Sequence, residues 1–288
     1  MAVVDYKVAT SLDQAVGFLS EAKIPTRVLA GGTDLIIQTK SQSNPVAVVD
    51  VKKIPSMMQA ELDDSGLNLG PAMSCVEFTA REDIKAVYPG LVEAAYLIGS
   101  TQVQGRCSVG GNLCNASPAA DTIPALIANG AICKIMGSSG EREVAVEDFV
   151  TGVGQNCMKD GEILTSISLP KPAAGTSDAY QRFIPRTEMD IAVAGAGVRV
   201  TLDDSGTVTA ARVAIGAVAT TALLVPEAAE ALVGSKLEDS ALEAAAAAAS
   251  AASKPISDRR GTAEYRQHVV GVLVKRAASI AASRAKGE

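Results

Sequence analysis

Val28-Leu29-Ala30-Gly31-Gly32-Thr33-Asp34-Leu35 reads as the end of a strand, a glycine turn and the opening of a helix. Thr26 to Ala30 reads as a strand, Gly31-Gly32 breaks it, and Leu35, Ile36 and Ile37 supply the helix behind Thr33-Asp34. Glycines let a backbone approach a bulky anion closely, and the free N–H groups of the following turn can then bind phosphate oxygens, with the Thr33 hydroxyl as a further donor. An ordinary turn capped by Thr33 or Asp34 would use the same residues. On its own the stretch leaves both readings open.

Upstream, Ser11 and Gln14 have capping-box spacing, Leu12, Val16 and Leu19 line one helical face, and Pro25 stops that helix. Downstream, Ala47 to Val51 and Leu67 to Gly70 read as strands and Leu91 to Ile98 as a helix, so the architecture is α/β or α+β. A second glycine-rich stretch, Ser108-Val109-Gly110-Gly111-Asn112-Leu113-Cys114-Asn115-Ala116-Ser117-Pro118-Ala119-Ala120-Asp121, precedes a helix through Pro124 to Ala128. Its small hydrogen-bonding groups suit a pyrophosphate and a polyol chain; a solvated loop is the competing reading.

Ala131 to Met136 and Glu143 to Val146 predict a hairpin, and Ile163 to Leu169 a further strand. Pro170 to Ser177 has the composition of a linker. Beyond it, Ile191 to Leu202 and Thr207 to Ala217 predict two strands around Asp204-Ser205-Gly206, and helices follow from Pro226, over Ser240 to Ser253 and over Ala263 to Ala282. Gly195-Ala196-Gly197 and Gly152-Val153-Gly154 begin like a dinucleotide fingerprint, but Val200 and Cys157 occupy the third-glycine positions.

Composition narrows the function. A net charge of −6 argues against a nucleic-acid partner. No apolar run suits a membrane span, and the N-terminus lacks a secretory pattern, so a cytoplasmic protein is expected. The five cysteines form no CxxC pair, which speaks against a disulfide framework or a local metal site. The single histidine, His268, has no partner at ligand or triad spacing and reads as structural. Asp258-Arg259-Arg260 with Arg266, Lys275 and Arg276 reads as a charged helix face.

Taken together, the two glycine stretches resemble the FAD-contacting loops of the xanthine dehydrogenase flavin domain and of the separate medium subunits of carbon monoxide dehydrogenase-type molybdenum hydroxylases. Further similarity lies in Gly161-Glu162-Ile163-Leu164, in Tyr180-Gln181-Arg182-Phe183 with Arg186 and Asp190-Ile191-Ala192, and in Asp258 to Arg266. The resemblance implies an α+β protein. A FAD-binding domain of the PCMH/vanillyl-alcohol-oxidase type, with two α/β subdomains, precedes an antiparallel sheet plus helical bundle. The expected boundaries are 1–172, with subdomains about 1–55 and 56–172, and then 178–284.

Carried over by position, Val28, Leu29, Ala30, Gly31, Gly32, Thr33, Asp34 and Leu35 would follow the FAD diphosphate. Ser108, Gly110, Gly111, Asn112 and Asn115 would bind phosphates or the ribityl chain, Asp121 a sugar or ribityl hydroxyl, and Met158 and Arg182 would lie near the ring system. No catalytic side chain and no metal ligand is expected. The molybdenum cofactor and two [2Fe–2S] clusters would sit in a large and a small partner subunit, as a dimer of heterotrimers. Ile98 stands where xanthine dehydrogenase carries an aromatic residue, which puts NAD as acceptor in doubt. A self-contained flavin oxidase of the vanillyl-alcohol oxidase type is the alternative, and it would need a substrate pocket of its own.

Overall fold

A computed structural model describes residues 3–41 and 43–288. The chain opens with β1 (Val3–Val8), α1 (Leu12–Ser20), β2 (Thr26–Leu29), α2 (Leu35–Ser41) and β3 (Val46–Asp50). The three strands form a parallel sheet in the order β1-β3-β2, so both connections are helical crossovers. Central β3 is buried along its whole length, as its unbroken Val-Ala-Val-Val run requires. The cap expected at α1 is present: the Ser11 hydroxyl accepts from the Gln14 N–H at 3.2 Å, while the Gln14 side chain reaches back to the Thr10 N–H at 2.7 Å.

After a 3₁₀ turn at Pro55–Met58 come β4 (Ala60–Asp63) and β5 (Gly66–Leu69), then six short helices. These are α3 (Cys75–Thr79), α4 (Glu82–Val87), α5 (Pro89–Tyr96), α6 (Thr101–Gln104), α7 (Val109–Asn115) and α8 (Thr122–Ala128). The chain returns through β6 (Ile132–Gly137), β7 (Gly140–Ala145), α9 (Val146–Phe149), β8 (Val150–Gly152), β9 (Gln155–Asn156) and β10 (Ile163–Pro170). The second sheet has the order β4-β5-β10-β6-β7, and its pairings are antiparallel. Phe78, Tyr88, Leu91, Leu113, Leu126, Ile135, Phe149 and Ile167 form the core between this sheet and the helices.

The remainder holds β11 (Thr176–Phe183), β12 (Ala194–Leu202), β13 (Val208–Gly216), β14 (Leu223–Leu224), α10 (Pro226–Leu232), α11 (Asp239–Ala252) and α12 (Ala263–Ala285). Its four strands run antiparallel in the order β11-β12-β13-β14. The alanine tract lets α11 approach α12 closely: a Cβ on Gly271 would stand 2.8 Å from Ser250 Oγ and 3.0 Å from the Ala246 carbonyl oxygen.

Three expectations need correction. The linker composition of Pro170 to Ser177 hides a strand end: β10 runs to Pro170 and β11 opens at Thr176. Polar Ser177 and Asp178 are buried there, so β11 lacks an apolar alternation that a reader could detect. The strand expected from Ile191 begins at Ala194, because Met189 has a left-handed backbone (φ 52°) and the Asp190 carboxylate anchors the loop to Arg186 and Arg260. Arg266 is no surface charge. Its buried guanidinium donates to the Val193 carbonyl at 2.7 Å and to Asp258 at 2.6 Å, joining α12 to the start of the inner strand β12. His268 is exposed on α12.

The seam between the first two sheets and the third is polar and closely fitted. Buried Asp178 on β11 accepts from the Gly90 and Leu91 amides at the start of α5, at 3.0 and 3.1 Å, and from the Asn129 side chain at 2.7 Å. Burial pushes its carboxyl up to about 6 despite these donors. Arg212 reaches Glu147 at 2.9 Å, and Arg284 pairs with Glu93. Helix α8 rests on a strip free of side chains: a Cβ on Gly197 would stand 2.6 Å from the Pro124 carbonyl oxygen, and one on Gly216 2.7 Å from Pro124 Cγ. The Gly195-Ala196-Gly197 pair is therefore a packing device.

Candidate functional site

The two glycine stretches, far apart in sequence, touch. A Cβ on Gly31 would stand 1.7 Å from the carbonyl oxygen of Arg106, just ahead of Ser108, so only glycine permits the contact. The helices behind them are joined as well: Gln38 on α2 donates to the Asn115 side chain at the end of α7, at 2.9 Å.

In the first loop, Gly32 has a left-handed backbone (φ 78°), a conformation glycine adopts without the Cβ penalty. Among the described residues, the amides of Gly32, Thr33 and Asp34 find no acceptor in the chain. Unpaired amides at a glycine turn form an anion-binding concavity. Val28 is partly exposed on β2, Leu29, Ala30 and Leu35 are half-buried, and the exposed Asp34 carboxyl is raised above its usual range by partial desolvation.

In the second loop, Ser108 is buried and caps α7, its hydroxyl accepting from the Gly111 N–H at 3.1 Å. Gly110 is demanded by Pro71, whose Cβ would lie 2.3 Å from an added side chain, whereas Gly111 is crowded only by Ser108 Oγ at 3.0 Å. Asn112 Oδ1 accepts from the Thr122 hydroxyl at 2.6 Å, which leaves its Nδ2 without an acceptor among the described residues. Helix α7 ends at Ala116, whose left-handed backbone (φ 51°) turns the chain toward Ser117 and Asp121.

Asp121 is buried where the loop meets the third sheet. One oxygen accepts from the Tyr180 hydroxyl at 2.9 Å and the other from Arg182 Nη1 at 2.7 Å, so two residues expected separately at the cofactor form one ion pair. Burial outweighs Arg182 and Tyr180 and pushes the Asp121 carboxyl up to about 6. Met158 is half-buried against the core. It is brought to the second loop by the β8–β9 turn, where the Gly154 amide donates to the Ala116 carbonyl at 2.9 Å and Asn156 to the Cys114 carbonyl at 3.1 Å.

Sequence reading missed Gln38, Asn156 and Tyr180. Tyr180 carried a signal, since it stands two residues before Arg182 on one strand and so shares its face. The other two carried none, because their partners lie 77 and 42 positions away. Ile98 is half-buried beside the main core. Two surface grooves of about 390 and 730 Å³ include no residue of either loop in their walls. No helix among the described residues is long and apolar enough to cross a membrane.

The cradle fits an elongated diphosphate-bearing group: unpaired amides lie in one loop, a free side-chain amide in the other, and an added Cβ would wedge the two apart. Comparison with known proteins gives the family. Residues 2–172 match the FAD binding domain in molybdopterin dehydrogenase, and residues 179–281 the CO dehydrogenase flavoprotein C-terminal domain. The carbon monoxide dehydrogenase medium chain of Afipia carboxidovorans is 34% identical over 98% of both chains, and the xanthine dehydrogenase FAD-binding subunit of Escherichia coli O157:H7 is 27% identical over 98% of this chain and 97% of its own. The crystal structure of the cyanide-inactivated Cu,Mo-CO dehydrogenase superposes with a TM-score of 0.93 at 32% identity, covering 98% of each chain. The chain belongs to the FAD-binding medium subunits of the carbon monoxide dehydrogenase and xanthine dehydrogenase family of molybdenum hydroxylases, and is an oxidoreductase subunit.

Proposed function

We propose that this chain is the subunit through which electrons leave a heteromeric molybdenum hydroxylase. Substrate is hydroxylated at a molybdenum site in a large subunit, electrons cross two [2Fe–2S] clusters of a small subunit, and this chain delivers them to an external acceptor. The observation that carries the reading is the contact of the two glycine loops, Gly31 against Arg106, in a chain of this family. Bound FAD supplies the redox chemistry, and no side chain of this chain acts as general acid or base.

The residues hold, orient and shield. Gly32, Thr33 and Asp34 donate amides to the diphosphate, while Val28, Leu29 and Ala30 support the turn from β2 and Leu35 anchors the helix behind it. Gly111, Asn112 and Asn115 follow the phosphates and ribityl chain, and Asp121 accepts from a ribityl or sugar hydroxyl. Met158 covers the ring system, and Arg182, which uses only Nη1 on Asp121, offers its remaining donors beside it. The FAD-binding part spans 1–172, with subdomains meeting near 55, and the C-terminal part follows from about 178. The assembly is a dimer of heterotrimers in the cytoplasm.

Native purification, with identification of co-purifying chains and assay of flavin, iron and molybdenum, tests the proposal. One FAD per copy of this chain, together with a molybdenum-containing large chain and an iron–sulfur small chain, is the expected result. A lone chain without iron or molybdenum overturns it.

A further inference from the structure

Tyr180 has no assigned role, yet its setting is specific. Its side chain is buried, its hydroxyl meets Asp121 Oδ1 at 2.9 Å, and a Cβ on Gly195 would stand 2.6 Å from that hydroxyl. Glycine on β12 thus makes room for the phenol of β11, and the register that pairs Arg182 with Gly195 keeps Tyr180 and Arg182 on one face. The carboxylate they hold closes the second loop. The next residue, Thr122, donates its hydroxyl to Asn112 Oδ1 at 2.6 Å and its amide to the same oxygen at 3.3 Å. A continuous run of bonds therefore leads from the third sheet through Asp121 and Thr122 to Asn112, whose Nδ2 has no acceptor among the described residues.

An ionised carboxylate has about four acceptor positions, of which Tyr180 and Arg182 occupy two. A phenol that fixes one oxygen decides where the open positions point. We propose that Tyr180 is a positioning residue for the second cofactor loop, aiming the open side of Asp121 and, through Thr122, the Asn112 amide at the polyol chain of FAD. The inference rests on the FAD reading given above and deepens it: the C-terminal part of the chain orients a binding group of the N-terminal part.

The charged and titratable groups facing Asp121 are Tyr180 and Arg182 on β11, since α7 and α8 contribute no ionisable side chain except the Cys114 thiol. The Tyr180 hydroxyl favours the ionised carboxylate against burial. Removing it raises the pH at which Asp121 takes up a proton.

The test is FAD titration of the full chain and of Tyr180→Phe, followed by flavin fluorescence and visible circular dichroism from pH 5 to 8. The expected result for Tyr180→Phe is an unchanged far-ultraviolet spectrum, roughly tenfold weaker FAD binding at pH 7.5, as for one lost hydrogen bond to a charged group, an altered visible dichroism, and flavin release at a higher pH than in the unaltered chain. Equal affinity and an equal pH profile overturn the inference. Should Tyr180→Phe not fold, Asp121→Asn serves instead: weaker binding with no pH dependence between 5 and 8 is expected, and a pH profile identical to that of the unaltered chain overturns it. Failure of the unaltered chain to bind FAD at all would instead strike the functional reading beneath.

Discussion

Gly31-Gly32 and Gly195-Ala196-Gly197 look alike on paper, small residues in an apolar setting, and in both the missing side chain admits a carbonyl oxygen, from Arg106 at Gly31 and from Pro124 at Gly197. Their amides differ. Gly195 and Gly197 lie inside β12, in register with β11 on one side and β13 on the other, so their backbone is consumed by the sheet. Gly32, Thr33 and Asp34 lie outside any ladder, and their N–H groups are unspent within the described residues. A glycine therefore reports close approach, and the unspent amides beside it report a ligand.

Gly31→Ala is the severest way to probe that distinction. The new methyl would overlap the Arg106 carbonyl, and relieving the clash means shifting one loop against the other. A loss of about 3 kcal/mol or more is expected, at the upper end of overpacking effects, with flavin content near zero even in the fraction that folds. Thermal unfolding and the flavin-to-protein absorbance ratio check both; flavin retained at full stoichiometry would show that the contact of the loops is not what holds the cofactor.

Asp178 sharpens the comparison from the packing side, because its carboxylate also sits where chain segments meet, yet every donor it engages belongs to the fold. Its carboxyl is raised to about 6 by burial, so the folded chain binds the proton more tightly than the unfolded one. The stability this adds is complete below the ordinary carboxyl value and is lost as pH rises through about 6, by roughly 3 kcal/mol in all. Glu162 runs the opposite way: its pair with Arg142 holds it below the usual range, so its contribution is present above that range and lost on acidification. The melting temperature is expected to peak near pH 5. In Asp178→Asn the decline toward pH 7 becomes shallower, and the whole curve drops because one of the three donors then faces an amide NH₂. An unchanged slope between pH 5 and 7 would mean that Asp178 is not the group responsible.

Gly197→Ala should cost about 2 kcal/mol, since the new methyl would stand 2.6 Å from the Pro124 carbonyl oxygen and α8 and β12 must move apart to admit it, while the folded fraction keeps full flavin stoichiometry. Loss of flavin at unchanged stability would erase the difference between the two glycine sites. Much of this contrast was legible in the residues. The strand, turn and helix around Gly31 were readable because two glycines separate Val28-Leu29-Ala30 from Leu35-Ile36-Ile37, with Thr33-Asp34 at the point where a helix would open. The second loop was readable from its density of Ser, Asn and Asp. Gly-x-Gly inside a strand pattern also carries a meaning, close backbone approach, although the partner at Pro124 could not be inferred from position. What composition concealed was β11. Its buried Ser177 and Asp178 are polar because they meet partners across the seam, and a period built on hydrophobicity passes over such a strand. Arg266 escaped for the same reason, being a charge whose acceptors, the Val193 carbonyl and Asp258, are assembled only by the fold.

The smallest effect belongs to Gln38. Its bond to Asn115 is the one side-chain hydrogen bond among the described residues that directly links the helices behind the two loops, and it is open to solvent. In Gln38→Ala the loss is therefore about 0.5–1 kcal/mol, within the net range of a single neutral hydrogen bond, and the melting temperature should scarcely move. If the loops act as one cradle, the effect appears in the ligand instead: FAD binds about threefold more weakly, through faster dissociation, because the first loop must be ordered against the second at each binding event. Stopped-flow dissociation of flavin from Gln38→Ala and from the unaltered chain decides it. Identical dissociation rates would mean that Gly31 against Arg106 holds the loops together without help from the helices behind them.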